Sequence, residues 1–200
     1  MVRREHQSHT LTYQVGLAGA QARLKELVLY VCAECASAHR FGLIKLNKII
    51  WRSDFRAFAE RGVPVTGRSY QKLEFGPAPV EMPPVLGELQ RDGLLRIERK
   101  EFGLDQTGKP IVEKRPIAGV AANLRWFSED DISFVQEAIR YYWLMTGMET
   151  SDDSHGIAWR TREIHDPMPY ESALFSNDEL THEAAERFSA LGRDRGWRSH

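Results

Sequence analysis

The sequence predicts a mainly helical α+β fold, a helical domain carrying a small antiparallel sheet or hairpin. Three observations carry that prediction. Apolar residues recur at three-and-four spacing in three long segments, turn formers bracket a short strand near residues 69–75, and two strand-like arms at 94–102 and 110–118 flank a Gly-containing connection. A winged-helix-like arrangement of helices and hairpin is compatible with this order.

Residues 1–19 are polar and then Gly/Ala-rich, which predicts a flexible N-terminal arm. From Gln21 to Ala38, Leu24, Leu27, Val28, Val31 and Cys35 share one helical face. After the break at His39–Gly42, Leu43, Leu46, Ile49, Ile50 and Phe58 repeat the pattern, and Lys45, Lys48, Arg52 and Arg56 mostly occupy the opposite face. Gly62 and Pro64 end that helix, since glycine accepts the left-handed cap and proline cannot continue the ladder.

The stretch 63–79 reads as two constrained turns, Pro-Val-Thr-Gly and Gly-Pro-Ala-Pro, clamping a strand at Ser69–Phe75. Pro77, Pro79, Pro83 and Pro84 confine the chain and delay a helix until Pro84, and Gly93 stops it after Asp92. The hairpin Leu94–Phe102/Pro110–Ala118 turns through Asp105 and Gly108. Ser128 with Asp131 three residues on is an N-terminal helix signature, with Phe127 placed to staple onto Ile132, and Ile132, Val135, Ile139 and Tyr142 continue the helix to about Met145. Residues 147–177 read as irregular, and Asn177–Leu191 as a final short helix before Arg193, Arg195 and Arg198. The organisation expected is an arm at 1–19, a single domain at 20–176 and an acidic helix or tail at 177–200.

At 200 residues the chain can bury a core of its own, and 42% hydrophobic with 28% charged residues is globular composition. A formal charge of −1 excludes a protein whose main work is neutralising many phosphates. The charge is unevenly placed: residues 149–200 hold 11 acids and 6 Arg, net −5. Residues 40–72 hold 8 bases (Arg40, Lys45, Lys48, Arg52, Arg56, Arg61, Arg68, Lys72) against Asp54 and Glu60. That segment is either a solvated helix face or a basic interface for an acidic protein or nucleic acid. No apolar run is long enough to span a bilayer, no secretory apolar region follows the first residues, and only 2 cysteines occur, so a cytoplasmic protein without a membrane role is expected.

Cys32-Ala-Glu-Cys35, extended by His39, has zinc-ligand spacing on one helix, but a lone C-x-x-C in the middle of an apolar stripe reads as two buried core cysteines. Asp152, Asp153, Ser154, His155, His165 and Asp166 supply the residue types of a hydrolase without a nucleophile elbow or an H-E-x-x-H spacing. The alternative to catalysis is that His155 donates to a backbone carbonyl while Trp159 packs a loop on the core. No phosphate-cradling glycine loop is present, so neither an enzyme nor a cofactor is expected. For DNA, the hairpin offers Arg96, Arg99, Lys100, Lys109, Lys114 and Arg115, diluted by acids, and the proline-broken 84–92 helix is a poor reader of bases.

Four ordered motifs then stand out: Lys45-Leu46-Asn47-Lys48-Ile49-Ile50-Trp51-Arg52-Ser53-Asp54; Pro64-Val65-Thr66-Gly67 with Tyr70; Phe75-Gly76-Pro77-Ala78-Pro79; and Ser154-His155, Trp159 and Pro169-Tyr170-Glu171-Ser172-Ala173-Leu174. Over roughly residues 41–175 the chain resembles the Panacea domain of prokaryotic and phage antitoxins, including the SocA-like ones. It departs from the family pattern at Phe75 and Ala78, where Tyr-Gly-Pro-Val is commoner, and at Trp51, changes that roughly preserve volume. The resemblance implies a non-catalytic antitoxin of a toxin–antitoxin system that binds and neutralises a toxin encoded by a neighbouring gene. The competing readings are a winged-helix-like DNA-binding regulator and an adaptor presenting a bound partner to a protease. Partner contact is expected from Lys45, Lys48, Arg52, Arg56, Tyr70, Lys72, Phe75, His155 and Trp159. An architectural role is expected for Asp54, Pro64, Thr66, Gly67, Gly76, Pro77, Pro79 and Tyr170.

Overall fold

The computed structural model describes residues 11–104, 107–175 and 182–194. Its centre is a helix, α2 (Leu43–Arg61), that other elements surround: α1 (Ala20–Glu34), α4 (Glu129–Tyr142), α5 (Gly147–Asp153) and α7 (His182–Asp194) pack on it, as do β2 (Gly76–Pro79) and the 3-10 turn Tyr170–Phe175. The main core joins Leu24, Leu27, Val28 and Val31 of α1 to Leu46, Ile49 and Ile50 of α2 and to Val135, Ala138 and Tyr142 of α4. A smaller second core gathers Phe55, Phe58, Tyr70, Met168 and Tyr170, with Phe58 and Tyr170 stacked and Phe55 edge-on to Tyr70.

This arrangement corrects the expected amphipathicity of α2. Lys45, Lys48, Arg52, Ser53 and Asp54 are all buried, so the basic 40–72 segment is neither a solvated face nor an open basic interface. Long aliphatic stems let lysine and arginine cross apolar layers and deliver their nitrogens to acceptors beyond. The ends of α2 follow the sequence, including the stop at Gly62. Helix α1 is shorter than its pattern, which moves Cys32 and Cys35 from mid-helix to its C-terminal end; there Arg115 donates to the carbonyls of Cys35, Ala36 and Ala38.

The predicted strand at 69–75 is β1 (Tyr70–Leu73), and Gly-Pro-Ala-Pro is β2 rather than a turn. The turn is the pair Glu74-Phe75, and β1 and β2 align antiparallel with Tyr70 opposite Pro79 and Leu73 opposite Gly76. Sheet order β2-β1-β5 places β2 at an edge, where proline costs no ladder bond; β5 is Pro167–Met168. Helix α3 (Met82–Arg91) starts before the predicted Pro84, because Pro83 and Pro84 fit the first turn, where their missing N–H groups have no helical partner. The hairpin is β3 (Leu95–Leu104) and β4 (Pro110–Ala118), with Arg99 directly opposite Lys114; Asp105 lies outside the described residues.

At the start of α4, Ser128 and Asp131 exchange side-chain and backbone bonds in the expected capping box. The region 147–177, read as irregular, contains α5, α6 (Ile157–Arg160), β5 and the 3-10 turn. All are too short for periodicity to register. Thr146 and Glu149 nonetheless form a second capping box, and the Thr-x-x-Glu spacing is the signal that sequence reasoning passed over.

Residues 11–19 lie against the domain rather than standing free of it: Val15 N–H donates to Gly67 O, Tyr170 N–H to Thr12 O, and the N–H and hydroxyl of Thr12 to the Glu171 carboxylate. In α7, Arg187 donates to the carbonyls of Ala59 and Phe58 at the end of α2. The start of the expected 177–191 helix, and Arg195 and Arg198, lie outside the described residues.

Candidate functional site

Asp54 projects from the fourth turn of α2 into a space closed to water, and its donors come from two other motifs, Thr66 and Tyr70 from the second and Tyr170 from the last. Its Oδ1 accepts the Thr66 N–H at 2.5 Å. Its Oδ2 accepts the Thr66 hydroxyl, the Tyr70 hydroxyl at 2.7 Å and the Tyr170 hydroxyl at 3.4 Å. Tyr170 also donates to Arg68 O at 2.7 Å. The carboxylate thereby pins the Pro64–Gly67 turn, β1 and the Pro-Tyr-Glu segment to one helix. Burial pushes Asp54 up to about 6 against the opposing pull of these donors, and it holds both tyrosines well above their usual value. Arg23 braces the same turn from α1, donating to Val65 O and pairing with Asp131 at 2.6 Å. Gly67 has φ +69, and an added Cβ would lie 2.2 Å from Val15 O, so the turn has room only for glycine.

Nearly two turns back on α2, Lys48 is fully buried and donates to Pro77 O at 2.8 Å. Burial without a carboxylate partner lowers its amine to about 7. Gly76, at φ +92, lies where a Cβ would be 2.2 Å from Ser154 Oγ and 2.7 Å from Lys48 Cε. Glycine there lets β2 close onto both side chains. Next to Ser154, the His155 ring stacks on Trp159 with centroids 3.7 Å apart, and Trp159 Nε1 donates to Leu73 O at 2.9 Å. The expectation that His155 holds a carbonyl is thus corrected: the indole does so, and His155 Nε2 sits 3.4 Å from Ser151 Oγ. Burial and the neighbouring Lys48 charge lower the imidazole below its ordinary value. Lys72 Nζ lies 4.1 Å above the Trp159 ring and donates to Arg162 O at 2.5 Å.

Of the side chains expected to meet a partner, Phe75 alone is exposed. Lys45 donates to His39 O and Trp143 O from a buried position. Arg52 lies 3.6 Å over the Tyr141 ring and reaches Glu137, and Arg56 pairs with Glu60 along the helix. Tyr70 and Lys72 are buried, and His155 and Trp159 are half-buried. The lysines and arginines of the first motif thus brace carbonyls, a ring and carboxylates inside the fold. Pro64, Pro77 and Pro79 are buried around them.

Burial raises both thiols, Cys35 to about 12, which leaves them protonated and unreactive at neutral pH. Among the described residues no group of three His, Cys, Asp or Glu side chains is placed to hold a metal ion, and no helix is long and apolar enough to cross a membrane. A groove of about 330 Å³ runs beside α6 between Leu11, Ile157, Arg162 and Pro169. Its lining is largely apolar.

The model of the SocA-like antitoxin family, the Panacea domain, matches residues 46–160. The chain belongs to this family. Comparison with curated proteins and with solved structures gave no match. The matched span runs from the first turn of α2 to the end of α6 and so includes Lys48, Asp54, Thr66, Tyr70, Gly76 and His155. Tyr170 and Glu171 lie beyond it, yet they complete the Panacea domain physically, one on Asp54 and the other on Thr12. Sequence reasoning placed Tyr170 in the framework but missed Arg23, Ser151 and Arg162. Their partners lie across the chain, and no local spacing marks them.

Proposed function

We propose that this protein is an antitoxin that neutralises the toxin encoded by a neighbouring gene through direct protein–protein binding in the cytoplasm, without catalysis. The family match over residues 46–160 carries the reading. The geometry supports it: Lys48, Asp54, Thr66, Tyr70 and Tyr170 of the family motifs are committed to one buried framework, while Phe75, Leu144, Met148 and Ile157 are large apolar side chains left on the outside. In this reading Phe75 contacts the partner directly, with the half-buried Arg56, His155 and Trp159 at the margin. Lys45, Lys48, Arg52, Tyr70 and Lys72 act from beneath by holding the surface in shape.

Co-expression with each adjacent open reading frame, scored for host growth and for a stoichiometric complex on an affinity column, tests the proposal. Rescue with a complex is expected. If no neighbour is toxic, or rescue occurs without association, the reading fails. If the neighbour's product disappears instead of being masked, the protein is an adaptor for proteolysis.

One observation favours a second role in DNA binding. Arg99 and Lys114 face each other across the hairpin, both exposed, where like charges directly opposite are destabilising unless an anion joins them. Salt-dependent retention of the protein's own promoter fragment, lost in Arg99→Glu, is the expected signature.

A further inference from the structure

The end of α4 and the turn at 143–146 adjoin α5, whose far end adjoins the β1–β2 hairpin. Asp153 of α5 joins the first to the third, because its two carboxylate oxygens accept the hydroxyls of Tyr141 and Tyr142 at 2.8 and 2.9 Å. The next residue, Ser154, lies against Gly76, which brings Phe75 and Glu74 beside the end of α5. Gly147 sits on Ile44 of α2 and holds the start of α5 down.

This surface exposes more large apolar area than folding requires. Leu144 is 84%, Met148 52% and Phe75 43% exposed, and Tyr141 lies at the same margin. Around them the charge is acidic: Glu74, Glu149, Asp152 and Asp153 are exposed. The bases that could offset these acids are directed inward, Lys48 to Pro77 O, Lys72 to Arg162 O and Arg52 over the Tyr141 ring. Arg140 and Arg160 are exposed bases at the border. An apolar centre with an acidic rim matches a protein surface whose own apolar ridge is edged by lysine and arginine.

We infer that this α5 face is where the toxin docks, and that the toxin presents a cationic rim around an apolar ridge. The inference rests on the antitoxin reading above. A second copy of this chain is a poorer occupant, since the two acidic rims would repel each other.

The test uses the full-length protein and the neighbouring gene product that the wild type neutralises. Leu144→Lys/Met148→Lys replaces exposed side chains, so it is expected to melt as the wild type does while losing about 100-fold or more in affinity, with loss of growth rescue. Asp152→Lys is expected to slow association and to flatten its salt dependence. Arg99→Glu/Lys114→Glu, on the hairpin, is expected to bind normally. Undiminished binding by both α5-face variants, or loss confined to the hairpin variant, overturns the inference and leaves the antitoxin reading standing. A wild-type dimer that the Leu144/Met148 substitutions dissociate also overturns it. If the double variant does not melt cooperatively, Asp152→Lys decides alone. If no neighbouring product binds the wild type, the antitoxin reading fails and takes this one with it.

Discussion

The Tyr70 hydroxyl donates to the Asp54 carboxylate at 2.7 Å inside a site closed to solvent, tying β1 to α2 across 16 residues of chain. Thr66 and Tyr170 reach the same carboxylate, so a single side chain defines how three segments from two motifs sit on the central helix. Asp54→Ala strands a backbone N–H and the hydroxyls of Thr66 and Tyr70, and is expected to destabilise the fold by about 3 kcal/mol or more. Tyr70→Phe removes one bond and is expected to cost about 1–2 kcal/mol. Urea unfolding of the two variants checks the order; an Asp54→Ala variant as stable as the wild type would show that the network is ornamental.

Asp54 also gives stability a pH dependence of unusual sign. Its folded value, about 6, lies above the ordinary 3.8, so the native state binds the proton more tightly than the unfolded chain. The contribution is fully present below about pH 4 and is lost as pH rises through 6, by roughly 3 kcal/mol. Subtracting the stability profile of Asp54→Asn from that of the wild type between pH 4 and 7 isolates this contribution.

Lys48 acts in the opposite window. Its amine falls from 10.5 to about 7 in the folded state, so the native protein resists protonation that the unfolded chain accepts. Its contribution is present above pH 10.5 and is lost as pH falls through 7, which makes Lys48 a liability of several kcal/mol in neutral and acid solution. Lys48→Met keeps the stem and removes the charge. It is expected to raise the melting temperature at pH 6 and to abolish the rise in stability between pH 7 and 10, read by thermal unfolding across that range.

Gly76→Ala introduces a Cβ at a left-handed φ and within 3 Å of Ser154 Oγ and Lys48 Cε. We expect a loss of about 2–4 kcal/mol. Ser154→Gly in the same chain should recover part of it by removing the nearest atom, and the backbone strain should remain. A double-variant cycle followed by thermal melting separates the two.

Trp159→Phe preserves a ring for His155 and Lys72 but loses the bond to Leu73 O. An expected cost of about 1 kcal/mol distinguishes the hydrogen bond from the stack; Trp159→Ala should cost about 3 kcal/mol or more. Because the substitution itself removes one of the 5 tryptophans, circular dichroism is the measurement.

Local chemistry was legible in the sequence wherever a neighbour a few residues away supplies it. Ser128 with Asp131 marks the start of α4, Gly62 ends α2, and two strand-like arms about a Gly-containing turn give the hairpin within two residues of its observed limits. The Gly-Pro-Ala-Pro segment reads as a turn because its prolines forbid a central strand, but they say nothing about an edge, where the structure places it. Residues 147–177 looked irregular because helices of seven and four residues are too short to show a period.

By itself the sequence determined the long helices, the hairpin, the four motifs and through them the antitoxin family. The tertiary structure alone decided which side chains are outside. Helical periodicity reports one buried face, the face that meets the first neighbour, whereas α2 meets α1, α4, α5, α7, β2 and the Tyr170 turn on all sides. Residues contributed from beyond position 125 close over Lys45, Arg52 and Asp54, and no pattern within α2 can announce their arrival. Burial is a property of distant segments brought together, so a basic stripe in sequence became an internal brace, while Phe75, Leu144 and Met148 were left exposed.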